Sequence, residues 1–123
     1  MAKPRILVVD DDEAVLEFMR AKLGPRFAVT GTTDAQQALG MARSDRPQLI
    51  LCDIEMPGMD GGDLSAALYA ADELRDIPVL FLTGLVSPQD LKARQGQLGG
   101  RAAISKDAPI TELIARIDSL ISQ

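Results

Sequence analysis

A chain of 123 residues, 46% hydrophobic and 25% charged, has the size and mixture expected of one folded domain, with no room for a second module and no disordered tract. Its net charge is −5, with thirteen basic residues scattered among eighteen acidic ones, which argues against a binder of nucleic-acid phosphates. There is no histidine and one cysteine, so Ser-His and Cys-His catalysis, His-ligated metals, a phosphohistidine carrier role and an internal disulfide are excluded.

The N-terminal stretch MAKPRILVVDDDEAV runs from Ile6-Leu7-Val8-Val9 straight into three aspartates. It matches neither a signal peptide nor a membrane span, so a cytoplasmic protein without membrane insertion is expected. The apolar run predicts a buried strand. Asp12 then caps a helix whose shared face is Val15, Phe18, Met19 and Leu23, ended by Gly24-Pro25. Phe27-Ala28-Val29-Thr30 is shorter and more polar, which suits a strand near a sheet edge. Asp34, with Gln37 reaching back, caps a second helix that turns Ala35, Ala38, Leu39 and Ala42 to one side.

Leu49-Ile50-Leu51-Cys52 is continuous rather than alternating, as in a strand buried on both faces, and Cys52 reads as a small core residue. The run stops at Asp53. A Pro57-Gly58 bend and Gly61-Gly62 lead into a third helix with Leu64, Ala67, Leu68 and Ala71 on one face. Val79-Leu80-Phe81-Leu82 predicts the fourth strand, ending in Thr83-Gly84. The stretch SPQDLKARQGQLGG, residues 87–100, predicts the weakest and most mobile helix: Ser87 and Pro88 start it, Leu91 and Leu98 anchor it, and Gly96 interrupts it. Ala102-Ala103-Ile104 predicts the fifth strand, ending in Ser105-Lys106. Pro109 then opens a helix striped by Ile110, Leu113, Ile114, Ile117, Leu120 and Ile121. Phe27, Tyr69 and Phe81 read as packing aromatics, and neither a Walker A loop nor a G-x-G-x-x-G motif is present.

Strict alternation of strand and helix forces parallel strands with right-handed crossovers, an α/β three-layer, doubly wound (βα)5 domain over residues 1–123. Ligands of such sheets bind beyond the carboxyl ends of the strands. There the topology gathers Asp10-Asp11, Asp53, Thr83-Gly84 and Ser105-Lys106. Taken singly, the aspartates 10 to 12 are helix caps, Thr83 a turn residue and Lys106 a surface charge; their joint placement implies one site. Each pair of carboxylates about 4 Å apart costs about 1 to 4 kcal/mol, so cations must offset them. Lys106 supplies one, and oxygen ligands without His or Cys select Mg²⁺ or Mn²⁺ as the other. These parts fit phosphoryl transfer to a carboxylate.

The strings ILVVDDD, LILCDIEMPGMDG, VLFLTG and AAISK stand in an order and spacing that resembles the receiver domains of bacterial two-component response regulators, over essentially the whole chain. The resemblance implies a flavodoxin-like, five-stranded parallel sheet in the order 2-1-3-4-5. It implies Asp53 as the phosphoacceptor, served by a histidine kinase or a histidine phosphotransfer protein. Asp11, Asp53 and the backbone carbonyl of Glu55 would ligate Mg²⁺, with Asp10 acting mainly through water. Lys106 and Thr83 would bind the phosphoryl group, with Gly84 keeping the approach open. The signal would leave through the face of the fourth helix, fifth strand and fifth helix to a downstream protein, and a homodimer is compatible with this. Such a domain assists its own phosphorylation and dephosphorylation without turning over a diffusible substrate.

Two departures stand out. Asp107 follows Lys106 where the family carries Pro, often with a cis bond, so the acid could compete for the ammonium; Ala103 stands where the family carries Tyr or Phe, removing the aromatic switch. The expectation is that phosphorylation chemistry is kept and signalling through the fifth strand is altered. A receiver that works by contact alone is the alternative. An aspartate-nucleophile phosphatase of the haloacid dehalogenase type fits less well, because its Asp-x-Asp motif follows the first strand. Met1 and the complete last helix favour a single-domain protein, and no output domain is visible.

Overall fold

Strands that must be covered on both faces need apolar residues at every position, and the central runs obey this. Ile6, Leu7, Val8 and Val9, like Leu49, Ile50, Leu51 and Cys52, are wholly inaccessible to solvent. The computed structural model describes residues 2–54 and 61–122. Its elements are β1 (Arg5–Val9), α1 (Glu13–Leu23), β2 (Ala28–Thr32), α2 (Ala35–Asp45), β3 (Leu49–Asp53), α3 (Gly61–Ala70), β4 (Val79–Thr83), α4 (Pro88–Ala93), β5 (Gln97–Leu98), β6 (Arg101–Ser105) and α5 (Ile110–Ile121).

The sheet order is β2-β1-β3-β4-β6-β5. All pairings are parallel except the last, and the register sets Val9 beside Cys52, Asp53 beside Leu82, and Thr83 beside Ser105. Period-two alternation splits the core into two layers. Leu7, Val9, Ile50, Cys52, Phe81 and Ala103 face α2, α3 and α4; Ile6, Val8, Leu49, Leu51, Leu80, Leu82 and Ile104 face α1 and α5. Asp12 and Asp34 cap their helices by accepting from the Ala14 and Gln36 amides, both at 2.9 Å. Gln37 does not reach back to complete a capping box; its side-chain oxygen accepts instead from the Thr32 hydroxyl at 3.3 Å.

The expected doubly wound fold is present, with one addition at its edge. The five expected strands keep their order, and a sixth, β5, pairs antiparallel to β6 where the second part of a weak helix over 87–100, interrupted at Gly96, was expected. Ser87 does cap α4, accepting from the Asp90 amide at 3.1 Å, with Pro88 in the first turn. The helix stops after one and a half turns because Gln95 and Gly96 adopt left-handed backbone, φ +60° and +71°. Gly99 and Gly100, φ +57° and +78°, then make the two-residue connection between Leu98 and Arg101, a turn that requires positive φ at both positions. The Gly-Gly pair was the readable signal, and helical spacing between Leu91 and Leu98 obscured it.

Two aromatic expectations also change. Phe18 is about half exposed, and Leu16 takes its place on the buried face of α1 with Met19 and Leu23; Tyr69 on α3 is exposed, whereas Phe27 and Phe81 are buried as expected. The Pro57-Gly58 bend and the Glu55 carbonyl lie outside the described residues. Burial separates the consequences of truncation. Leu51→Ala, in the sealed centre of the sheet, is expected to lower unfolding free energy by about 2 to 5 kcal/mol, and Phe18→Ala by roughly 0.5 kcal/mol or less. Urea denaturation followed by circular dichroism checks both, and comparable losses would contradict the burial assignment.

Candidate functional site

Each strand of the central sheet ends in a polar residue at the same edge, and local hydrogen bonds fix where those residues point. Asp10 follows β1, is fully buried, donates its amide to the Thr32 carbonyl at 3.2 Å and accepts through Oδ1 from the Asp12 amide at 3.0 Å. That turn starts α1 and leaves Asp11 exposed. Asp53 is the buried last residue of β3, and the strand direction is held one residue further by the Ile54 amide on the Leu82 carbonyl at 3.1 Å. One carboxylate oxygen from each of Asp10, Asp11 and Asp53 lies within 4.8 Å of the others.

Lys106 reaches this cluster from the end of β6. Its Nζ lies 3.2 Å from Asp10 Oδ2 and 3.5 Å from Asp53 Oδ2, while its amide donates to the Thr83 carbonyl at 2.8 Å. Ser105 holds the turn, its hydroxyl accepting from the Asp107 amide at 3.1 Å. Asp107 is exposed and forms no ion pair among the described residues, so Lys106 pairs with Asp10 and Asp53 and not with Asp107; no cis peptide bond occurs among the described residues either. Thr83 is buried, and its hydroxyl accepts from the Leu85 amide at 3.1 Å. A Cβ built on Gly84 would meet Lys106 Cδ at 3.9 Å, an ordinary contact, so Gly84 neighbours the lysine stem without being sterically required there. Ser105 thus supports the site, and its signal in the sequence is a hydroxyl two residues before an amide that needs a partner at a strand end.

The electrostatics follow from burial and crowding. Desolvation raises the Asp10 carboxyl above its ordinary range, the Asp12 amide opposes this, and the neighbouring Asp53 adds to the rise. Burial pulls the Lys106 ammonium down, but attraction to Asp10 and Asp53 outweighs it and the group ends above its ordinary value. One ammonium against three carboxylates leaves net negative charge. Asp10 Oδ2, shut off from solvent, has the lysine nearby but no hydrogen bond of good angle among the described residues. A buried oxygen short of donors, beside two more carboxylates with no nitrogen or sulfur ligand among them, fits a hard divalent cation such as Mg²⁺.

A carboxyl whose pKa is raised by folding favours the fold when protonated, so this contribution is present below its ordinary value of 3.8 and is lost as pH rises through the higher folded value. At neutral pH the ionised Asp10 is therefore a net cost, with the lysine attraction already in the balance. Asp10→Asn is expected to raise the melting temperature at pH 7 without divalent ions, by roughly 2 to 8 °C for each kcal/mol relieved. Added Mg²⁺ should stabilise the parent protein more than the variant. A lower melting temperature in the metal-free variant would show that the Lys106 pairing dominates.

Comparison with known proteins agrees with this geometry. The family model for the response regulator receiver domain matches residues 6–118. Transcriptional regulatory protein PrrA of Mycobacterium bovis is 36% identical over 98% of this chain, which covers 51% of that protein. Response regulator PleD of Caulobacter vibrioides is 38% identical over 94% of this chain, covering 26% of PleD. The chain thus spans about half the length of PrrA and about a quarter of PleD. The crystal structure of the receiver domain of sensor histidine kinase PA1611 from Pseudomonas aeruginosa, with a magnesium ion coordinated in its active site cleft, superposes with a TM-score of 0.77 at 27% identity, covering 99% of this chain and 100% of that one. With the family model matched along nearly the whole sheet and the acidic cluster at its carboxyl edge, the chain belongs to the response regulator receiver domain family.

Proposed function

We propose that this domain accepts a phosphoryl group on Asp53 from a histidine kinase or histidine phosphotransfer protein and passes the signal on through changed protein contacts. The observation that carries this reading is the meeting of Asp53 with Asp10, Asp11 and the Lys106 ammonium at one sheet edge. Asp10, Asp11 and Asp53 would hold Mg²⁺, with the Glu55 carbonyl, outside the described residues, as a further ligand. When bound, the ion neutralises charge on the oxygens of donor and acceptor.

The protein's own groups account for the rest. A carboxylate oxygen of Asp53 attacks phosphorus as the P–N bond of the phosphohistidine breaks, and the electron pair returns to the imidazole nitrogen. Lys106, already 3.5 Å from Asp53, donates to the phosphoryl oxygens. The Thr83 hydroxyl accepts from the Leu85 amide, so its own proton remains available to donate to the same group. Leu85, three-quarters exposed at the rim, and Glu55 would regulate water access and so the lifetime of the acyl phosphate. The signal would leave through α4, β6 and α5 toward a protein partner. No helix among the described residues is long and apolar enough to cross a membrane.

The test is intact mass after brief exposure to acetyl phosphate with Mg²⁺. One phosphoryl adduct is expected, abolished by EDTA and by Asp53→Asn. Lys106→Met is expected to slow labelling on the order of 10²-fold, the usual cost of deleting one preorganised donor. Labelling that survives Asp53→Asn would move the acceptor elsewhere. No labelling of the parent protein would favour a receiver that acts by contact alone, and steady turnover of a generic phosphomonoester would favour a phosphatase.

A further inference from the structure

The hairpin at the sheet edge is held from outside by one side chain. Arg116 of α5 donates through Nη2 to the Gly96 carbonyl at 2.8 Å and through Nη1 to the Ala103 carbonyl at 3.2 Å. The Gly96 carbonyl also accepts from the Ala103 amide at 3.0 Å, so α5 and β6 both bond one oxygen of the α4–β5 connection. Arg116 forms no ion pair among the described residues, and its charge is given to these two carbonyls. A Cβ on Gly96 would lie 2.6 Å from Arg116 Nη1, and φ there is +71°, so glycine is needed both for the turn and for the approach of the guanidinium.

The residue types of the segment so held also suit a longer helix. Residues 91–98 read Leu-Lys-Ala-Arg-Gln-Gly-Gln-Leu, helix-forming types apart from the glycine, and Leu91 and Leu98 are seven apart as on one helix face. Instead α4 ends with Gln95, which has a side chain, in left-handed backbone at φ +60°, a conformation that costs more there than glycine would. Beside it lies a groove of about 480 Å³ between α4 and α5, lined by Pro88, Leu91, Gln95, Ala108, Arg116 and the small Ala103 among others. Lys92 and Glu112 face each other across it at 3.6 Å. The other end of this assembly is the functional site: Ala103 stands three residues before Lys106 on a strand of five, tied to β4 by the Thr83 carbonyl.

We propose that Arg116 is the latch of a strap, residues 94–98, and that a phosphoryl group on Asp53 loosens it by drawing Lys106 and β6 away from the arginine, remodelling the groove between α4 and α5. This rests on Asp53 being the phosphoacceptor and supplies a route that needs no aromatic ring at position 103. The reporter is hydrogen exchange at the Ala103 amide, whose acceptor is the Gly96 carbonyl. It would be measured in the parent protein, Arg116→Met and Gln95→Gly, each with and without acetyl phosphate and Mg²⁺, with intact mass scoring the adduct. In Arg116→Met, exchange at Ala103 is expected to rise about tenfold or more while the amides of β1 and β3 stay protected. Gln95→Gly, which relieves the left-handed strain, should slow it. Phosphorylated parent protein should exchange faster at Ala103 than the unmodified form.

Unchanged exchange at Ala103 in Arg116→Met would overturn the latch. Should that variant lose protection everywhere, Gln95→Gly decides instead: slower exchange at Ala103 supports the strap, and no change removes it. An adduct on Asp53 with unaltered exchange at Ala103 would overturn the relay while leaving the phosphoacceptor intact. Absence of an adduct would overturn both the phosphoacceptor reading and the relay, with the variants still deciding the latch.

Discussion

The repulsion among Asp10, Asp11 and Asp53, offset in part by Lys106, is the constraint around which the rest of this domain is arranged. Carboxylates this close would separate if carried on loops alone. Here the strands that carry them are sealed on both faces, so the sheet cannot yield and the excess charge persists. The fold thereby keeps three carboxylates together in a donor set that fits a hard cation, at some expense in stability. The raised Asp10 carboxyl is the local mark of that expense.

Rigidity is unevenly distributed. On the α1 and α5 side, long apolar side chains from β1, β3, β4 and β6 meet the stripe of α5, with Leu113 and Ile117 buried in it. On the other side, α2 contributes mainly alanines, α4 is six residues long, and Ala103 leaves a groove where a larger side chain would fill space. The edge beyond β6 is closed by a two-residue strand and an arginine rather than by a packed helix. The short α4, the two-residue β5 and the groove thus lie beside the strand that leads to Lys106.

Much of this was legible in the residues alone. Four continuous apolar runs and one shorter, more polar stretch located five strands, caps at Asp12, Asp34 and Ser87 located three helix starts, and the strand-end rule brought Asp10, Asp11, Asp53, Thr83 and Lys106 to one edge. Where periodicity was ambiguous, the reading failed in ways with local causes. Leu16 and Phe18, two residues apart, point about 160° away from each other around α1 on either flank of Met19, and the pattern could not say which one the sheet would cover. Gly99-Gly100 carried a hairpin signal that Leu91 and Leu98 outweighed.

By itself, the sequence determined the class of the fold and the chemistry of its edge, because both rest on residue type and on short-range periodicity, which a linear string carries in full. Only the tertiary structure decided that Lys106 turns to Asp10 and Asp53 rather than to Asp107, that Thr83 is tied to Leu85, and that Arg116 grips the carbonyls of Gly96 and Ala103. Apart from the local Thr83–Leu85 tie, those choices join groups 13 to 96 residues apart. They depend on distances set by the packing of whole elements against one another, and no local pattern of residues contains that information.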